Sequence, residues 1–252
     1  MKKMDFKDYF SKHSTTYAKF RPQYPPELFD YLSQVVAVRD TAWDCATGNG
    51  QAAISLVPFF QKVWATDASA QQIAQAIAHP QITYSVAQAE KTHFEPESID
   101  LITVAQALHW FNLPEFYLEV NRVLKPGGIL AVWCYSFMEI DPEISPIIAR
   151  YYSEIVGSFW PPERKLIEEE YQNINFPFPQ LAAPKFKIET ALNLSELIGY
   201  LESWSSSQRY FEQHQSLGTD LIKASLAEIW GDPHQRKPIY WPIHLKLGAK
   251  DL

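Results

Sequence analysis

Five short, largely apolar segments between residues 40 and 136 alternate with segments of helical spacing, and this alternation constrains the fold most. Two of them, 101–105 (LITVA) and 129–133 (ILAVW), are almost continuously apolar, which is typical of parallel strands buried on both faces. Strands that alternate with helices in this way predict parallel βαβ units. We therefore expect a doubly wound α/β sheet with its ligand site outside the carboxyl ends of the strands. The predicted strands are 41–46, 62–68, 81–89, 98–105 and 129–136, and the helices between them are 51–58, 70–78 and 113–124.

The flanking segments complete a single predicted domain. Residues 186–193 predict a sixth strand, and a seventh is placed at 243–247 because Pro242 cannot donate a ladder hydrogen bond. Ser195 is the predicted N-cap of a later helix, with Ile198 at the position where a capping box has an acid or glutamine. Within the domain 1–252 we expect an N-terminal lid at 1–36, a cofactor-binding core at 40–136, and cap helices with the last strands at 137–252.

Charge and composition argue against several classes of protein. The formal charge of −7, from 22 basic and 29 acidic residues, disfavours a binder of duplex nucleic acid, since no basic patch stands out. Two cysteines are too few for a disulfide scaffold. No segment reaches the roughly 18–20 apolar residues of a membrane-spanning helix. The N-terminus lacks the apolar core of a secretory signal, and the histidines lack metal-ligand spacing. We expect a cytoplasmic protein, monomeric or homodimeric, with no metal and no membrane or nucleic-acid partner.

A glycine-containing loop follows the first predicted strand. Gly48 and Gly50 allow backbone to approach a ligand without an intervening Cβ. Asp44 precedes the loop, and Asp67 ends the second strand 23 residues later, where a carboxylate can accept hydrogen bonds from a ribose diol. A dinucleotide loop with Ala53 in the third glycine position also fits the spacing, although Asp44 would then lie unfavourably near the phosphates.

Segment 44–50 (DCATGNG) resembles the first motif of class I S-adenosylmethionine-dependent methyltransferases, with Ala46 where glycine is usual. The resemblance covers residues 10–136 approximately, and it implies a Rossmann-like, seven-stranded, mostly parallel sheet with S-adenosylmethionine as cofactor. The other motifs follow in the family's order at 65–69 (ATDAS), 86–94 (VAQAEKTHF), 98–111 (SIDLITVAQALHWF) and 122–128 (RVLKPGG).

The resemblance also implies roles for individual residues around the cofactor. Asp44 would support the loop near the methionine amino group, and Asp67 would bind the ribose hydroxyls. A Gln88 carbonyl would replace the usual acid at the adenine amino group. The remaining implied cofactor contacts are Tyr17 on the lid, the backbone of Ala46, Gly48 and Gly50, Ala68 and Gln72 at the adenine, Ala89, and Gln106 at the methionine part.

Finer features resemble the trans-aconitate methyltransferase type, which implies a small-molecule acceptor and first of all a small carboxylic acid. They are 17–25 (YAKFRPQYP), 106–110 (QALHW) and 203–210 (SWSSSQRY). A carboxylate acceptor needs no general base, whereas a phenol, hydroxyl or amine would need one.

Candidate acceptor-binding residues follow from this reasoning. His109 is the candidate base, because the unperturbed pKa of histidine is near 6.5. Arg21 and Arg209 are candidate anchors for an anionic acceptor, since guanidinium matches carboxylate geometry. Trp110 and Trp133, with Trp160 and Trp204, are candidate walls of an apolar acceptor pocket.

Three alternatives stay open on the sequence alone. A nicotinamide-dependent oxidoreductase would use the same loop and acid. A binding protein without turnover would explain the departures at Ala46 and Gln88. An RNA or protein methyltransferase is the third, although the net acidity argues against RNA and no Asn-Pro-type signature follows the fourth strand at 106–109.

Overall fold

The structure, a computed structural model, describes residues 22–251. Within these residues seven strands form one sheet in the order β3-β2-β1-β4-β5-β7-β6. The first five strands are mutually parallel, and β7 is antiparallel to both of its neighbours. The predicted seven-stranded, mostly parallel, doubly wound fold is thereby confirmed. The strands are β1 (Thr41–Cys45), β2 (Lys62–Asp67), β3 (Ile82–Val86), β4 (Ile99–Ala105), β5 (Leu124–Tyr135), β6 (Phe186–Leu192) and β7 (Lys237–Ala249).

Helices cover both faces of the sheet and build the cap. Across residues 22–251, none of them combines the length and apolarity that crossing a lipid bilayer requires. In this part of the chain the α-helices are α1 (Pro26–Val35), α2 (Gln51–Leu56), α3 (Ala70–Ala74), α4 (Leu113–Val123), α5 (Ser145–Arg150), α6 (Arg164–Glu168), α7 (Leu194–Glu202), α8 (Ser205–His214) and α9 (Lys223–Trp230). Short 3₁₀ turns lie at Leu108–Trp110, Gly157–Phe159 and Gly218–Leu221, and a π-helical turn lies at Tyr151–Ile155.

The sheet divides the apolar side chains into two cores. Successive residues of a strand point to opposite faces, so Trp133 belongs to the core under α1 while Val132 belongs to the core under α4. Helix α1 buries Leu28, Phe29 and Leu32 completely or nearly so in the first core. The part of the predicted lid that forms α1 is therefore packed into the body of the domain.

Strand β7 is longer than the predicted 243–247, because it begins at Lys237 and includes Pro238 and Pro242. The Pro242 carbonyl accepts a hydrogen bond from the Ser136 amide at 3.1 Å, so this edge of Pro242 faces the end of β5. The N–H that Pro242 lacks would point to this same side, where β5 has already ended at Tyr135. Pro242 therefore removes no hydrogen bond from the ladder between β7 and β6.

The cap of α7 is also shifted from the predicted position. Asn193, two residues before Ser195, accepts a hydrogen bond from the Glu196 amide at 2.9 Å. The Glu196 carboxylate accepts one in return from the Asn193 amide at 2.9 Å, which completes a capping box. The prediction of Ser195 was wrong because the asparagine, with an acid three residues on, satisfies two backbone amides at once.

Candidate functional site

The loop between β1 and α2 adopts left-handed backbone at three positions. Ala46, Gly48 and Gly50 have φ angles of +55°, +58° and +90°. An alanine in this region costs about 1–2 kcal/mol relative to right-handed backbone, which gives a physical reason why glycine is usual at position 46. A Cβ at Gly50 would overlap the hydroxyl of Tyr84, whereas a Cβ at Gly48 would have, among residues 22–251, only the Gln72 Oε1 atom within reach, at 4.0 Å. This part of the chain therefore leaves open space beside Gly48.

Asp44 is fully buried beneath this loop. Its two carboxylate oxygens accept hydrogen bonds from the hydroxyls of Thr47 in the loop and Thr103 in β4, the latter at 2.8 Å. Burial raises the pKa of Asp44 to about 6, against the lowering effect of the two hydroxyls. The carboxylate thus joins the loop to the adjacent strand from inside the protein.

Asp67 stands at the carboxyl end of β2 beside the same loop. Its Oδ2 atom accepts a hydrogen bond from the Gly48 amide at 2.9 Å, and its Oδ1 atom accepts one from the Ser69 amide at 2.8 Å. Ser69 caps α3 by accepting a hydrogen bond from the Gln72 amide. The half-buried carboxylate of Asp67 thus stands at the border of the space beside Gly48.

The expected adenine-side residues occupy the turns next to Asp67. Ala68 follows Asp67 directly, and the buried Gln72 faces Gly48. Ala89 is buried, while Gln88 is exposed in a short bridge with Lys91. Glu90, which the sequence reasoning did not single out, accepts a hydrogen bond from the Asn112 amide at 2.9 Å and so ties this turn to the start of α4.

A cleft opens outside the carboxyl ends of β4 and β5, between the sheet and the cap. This is the place where an open parallel sheet binds its ligands. Its lining combines many aromatic side chains with a few polar ones. The aromatic residues are Trp110, Tyr135, Phe137, Trp160, Tyr200 and Trp204, and the polar residues are Gln106, His109, Ser136, Arg164 and Ser205.

Gln106 enters this cleft from strained backbone just after β4. Its φ angle is +57°, a value that only a few per cent of non-glycine residues adopt. Its Oε1 atom accepts a hydrogen bond from the Tyr135 amide at 2.7 Å, and its own amide donates to the Trp133 carbonyl at 2.8 Å. Since the carbonyl end of the side chain is engaged, the NH2 end is the part available as a donor.

His109 is buried at the wall of the cleft. Its Nδ1 atom lies 2.9 Å from the Tyr171 hydroxyl, and its ring packs 4.5 Å from the ring of Trp110. Burial first, and the charge of Arg164 second, lower the pKa of His109 to about 3. The expectation of a base with a pKa near 6.5 is corrected accordingly, because a histidine with this pKa is a weak base at neutral pH.

Arg164 is a cleft residue that the sequence reasoning missed. Its guanidinium carbon lies 4.6 Å from the ring centre of Trp160, and its Nε atom donates to the Tyr152 hydroxyl at 3.1 Å. Among residues 22–251, no carboxylate lies within 4.0 Å of its nitrogens. The only local signal was a charged run at 163–170, which is typical of a solvated helix face.

Two other candidate acceptor contacts are corrected by the structure. Arg209 does not line the cleft, and it donates to the carbonyl of Phe159 at 3.0 Å. Trp133 is fully buried in the first core, 5.4 Å from Tyr24 and 6.1 Å from Phe29 between ring centres. The two remaining candidates, Tyr17 and Arg21, lie outside the residues that the structure describes.

Comparison with known proteins relates this architecture to one family. Residues 43–132 match the family model described as a methyltransferase domain. A protein of Dictyostelium discoideum named as a methyltransferase is 34% identical over 254 residues, which cover 98% of this chain and 96% of that protein. A solved structure from Anaeromyxobacter dehalogenans, described as a type II methyltransferase, superposes with a TM-score of 0.87 at 38% identity, over 92% of this chain and 100% of that chain. A Saccharomyces cerevisiae protein named as an S-adenosylmethionine-dependent methyltransferase is 29% identical over 52% of this chain and 46% of its own length.

Proposed function

The chain belongs to the class I S-adenosylmethionine-dependent methyltransferases, and on that premise we propose that it methylates an oxygen of a small carboxylic acid. When bound, the cofactor supplies a methyl group on a positively charged sulfur. The protein itself must bind the cofactor and the acceptor, align the two for transfer, and exclude water from the site.

The loop side of the site fits the cofactor. The space beside Gly48 is bordered by Asp67, whose two carboxylate oxygens are acceptors of the kind that suits the two hydroxyls of a ribose. Gln72 closes the far side of this space and can flank the adenine. We propose that Asp67 binds the ribose hydroxyls and that the backbone from Ala46 to Gly50 lines the methionine part.

The polar residues that line the cleft support the proposal that the acceptor is a carboxylic acid. Arg164 brings a guanidinium into an aromatic cleft, and among the lining residues in 22–251 there is no aspartate or glutamate. A half-buried cation without a carboxylate partner in this part of the chain favours an anionic ligand, since guanidinium binds carboxylates with two parallel hydrogen bonds. A carboxylate also has no proton to lose, so the weakly basic His109 is no obstacle to the reaction.

An acceptor screen tests this proposal. Calorimetric titration with S-adenosylhomocysteine, with NADH in parallel, first establishes that the purified protein binds its cofactor class. Transfer of a labelled methyl group is then measured to small mono-, di- and tricarboxylic acids, each matched with its amide and with a phenol and an amine of similar size. We expect base-labile methyl esters from one or more acids. Transfer to the phenol or the amine alone would overturn the carboxylate proposal while leaving the methyltransferase in place.

Alanine at the two loop glycines is expected to separate binding from folding. Gly48→Ala places a methyl group where residues 22–251 leave space, on left-handed backbone similar to that of Ala46, so the protein should still fold, with a loss of stability of about 1–2 kcal/mol from the backbone. If that space holds the cofactor, affinity for S-adenosylhomocysteine should fall at least about tenfold, because the added Cβ displaces close contacts.

Gly50→Ala should instead lower the Tm, since its Cβ overlaps the Tyr84 hydroxyl and its φ angle is +90°. The cost is about 1–3 kcal/mol from the backbone alone. Adding Tyr84→Phe should recover part of that loss. Thermal melts and calorimetry on the same samples make the comparison. An unchanged affinity in Gly48→Ala would place the cofactor elsewhere.

A further inference from the structure

The hydroxyl of Tyr171 lies among three hydrogen-bonding groups. It is 2.9 Å from Nδ1 of His109, and the nearby backbone amides of Leu108 and His109 lower the pKa of Tyr171 against the larger effect of its burial. These amides open the 3₁₀ turn Leu108–Trp110, where the first N–H groups have no partner inside the turn. A phenol has one proton and two lone pairs. With these N–H groups beside its lone pairs, the hydroxyl has Nδ1 as the acceptor for its one proton.

This bond selects one form of the imidazole. A neutral ring that accepts at Nδ1 carries its hydrogen on Nε2. The charged and titratable groups around the pair are Arg164 from α6, which disfavours a positive ring, and the buried thiol of Cys134 from β5, which faces Tyr171. Burial and Arg164 lower the pKa of His109 to about 3, so the ring stays neutral at physiological pH. Within residues 22–251, Nε2 has no hydrogen-bond partner.

Tyr171 is held in place by strained backbone. Glu170 and Tyr171 are consecutive non-glycine residues with φ angles of +55° and +58°. Such backbone persists only where the surroundings over-determine it, and it is frequent at functional sites. Here β7 supplies the restraint, because His244 Nδ1 lies 3.3 Å from the Glu170 carboxylate and Lys246 donates to the Ile174 carbonyl at 3.1 Å.

We propose that His109 donates a hydrogen bond from Nε2 to an oxygen of the methyl acceptor, and that Tyr171 is the positioning residue that fixes His109 in the form able to do so. Together with the guanidinium of Arg164 and the NH2 group of Gln106, the cleft then presents three sets of donors to the acceptor. The contact with the acceptor rests on the proposed function, whereas the tautomer of His109 does not.

The tautomer is tested without any acceptor. The 15N chemical shifts of the two ring nitrogens, assigned by comparison with His109→Gln among the 7 histidines, report which nitrogen carries the hydrogen. We expect the Nε2–H form throughout pH 5–8, an interval well above the pKa of about 3, with no titration. In Tyr171→Phe we expect a mixture of the two tautomers. An Nδ1–H form in the wild type, or a titration near neutral pH, would overturn the inference.

Kinetics with an active carboxylic acid then test the contact. His109→Gln keeps an N–H donor of similar reach but no basic nitrogen, so it should retain activity to within a fewfold. His109→Leu lacks the donor and should raise the KM of the acceptor by about tenfold or more with a smaller change in kcat. A general base would behave differently, since Gln and Leu would then lower kcat equally. That outcome would reject the donor role while the carboxylate proposal stands.

Discussion

Replacing Asp67 by alanine is expected to abolish measurable binding of S-adenosylhomocysteine. The carboxylate is proposed to bind two ribose hydroxyls, and a hydrogen bond to a charged group contributes about 1.5–3 kcal/mol. Losing two such bonds weakens affinity at least about 100-fold. The same side chain accepts from the amides of Gly48 and Ser69, at 2.9 and 2.8 Å, so its removal should also loosen the loop that is proposed to line the cofactor.

Two controls separate the ribose contact from support of the loop. Asp67→Asn keeps one oxygen acceptor for a loop amide but lacks the charge and the second acceptor. Asp40→Ala removes an exposed acid that lies 4.0 Å from Lys125 at the opposite end of the sheet, and it should change nothing. Calorimetry gives the affinities and thermal melts give the stability. If Asp67→Ala bound as tightly as the wild type, the ribose assignment would be wrong. Equal losses of Tm and affinity in Asp67→Ala and Asp67→Asn would point to the loop alone.

The sheet could be predicted closely because its signal is local. A buried parallel strand is a short apolar run, and β1 and β4 begin and end within one residue of the predicted 41–46 and 98–105. Helix boundaries were less accurate. The helical pattern at 70–78 extended past Ala74, where the observed helix α3 ends, since propensity alone does not determine where tertiary packing stops a helix.

The residues of the proposed cofactor side could be named from the sequence, because Gly48, Gly50 and Asp67 lie at or just after strand ends. The acceptor side was not, because it is made by the cap. Tyr171 and His109 are 62 positions apart in the sequence, and no local sequence pattern around either residue predicts their contact. The pKa of His109 depends on the burial that this packing creates. Arg209 was named as a candidate and Arg164 was missed for the same reason, since only the folded cap shows which arginine lines the cleft.

Arg164→Leu is expected to raise the KM for a carboxylic acid acceptor by about 30-fold or more, with affinity for S-adenosylhomocysteine unchanged. The guanidinium is proposed to make the charge-assisted contact with the acceptor, which contributes about 1.5–3 kcal/mol per hydrogen bond. It lies in the cleft and not on the glycine loop, so the cofactor should bind as before. Arg164→Lys should fall between, because an ammonium keeps the charge but not the two parallel donors.

The neighbouring Lys165 provides a matched control on the same helix. It is 76% exposed and pairs with Glu169 at 3.5 Å, so Lys165→Leu removes a positive charge without touching the cleft and should leave the KM unchanged.

The Arg164→Leu variant should also raise the pKa of His109, because the charge that disfavours the imidazolium is gone, and the 15N titration detects this shift. A raised pKa of His109 with an unchanged KM for the acceptor would mean that Arg164 lies near His109 in the cleft but does not bind the acceptor. An equal effect of Arg164→Leu and Lys165→Leu on the KM would instead reduce the role of Arg164 to long-range electrostatics.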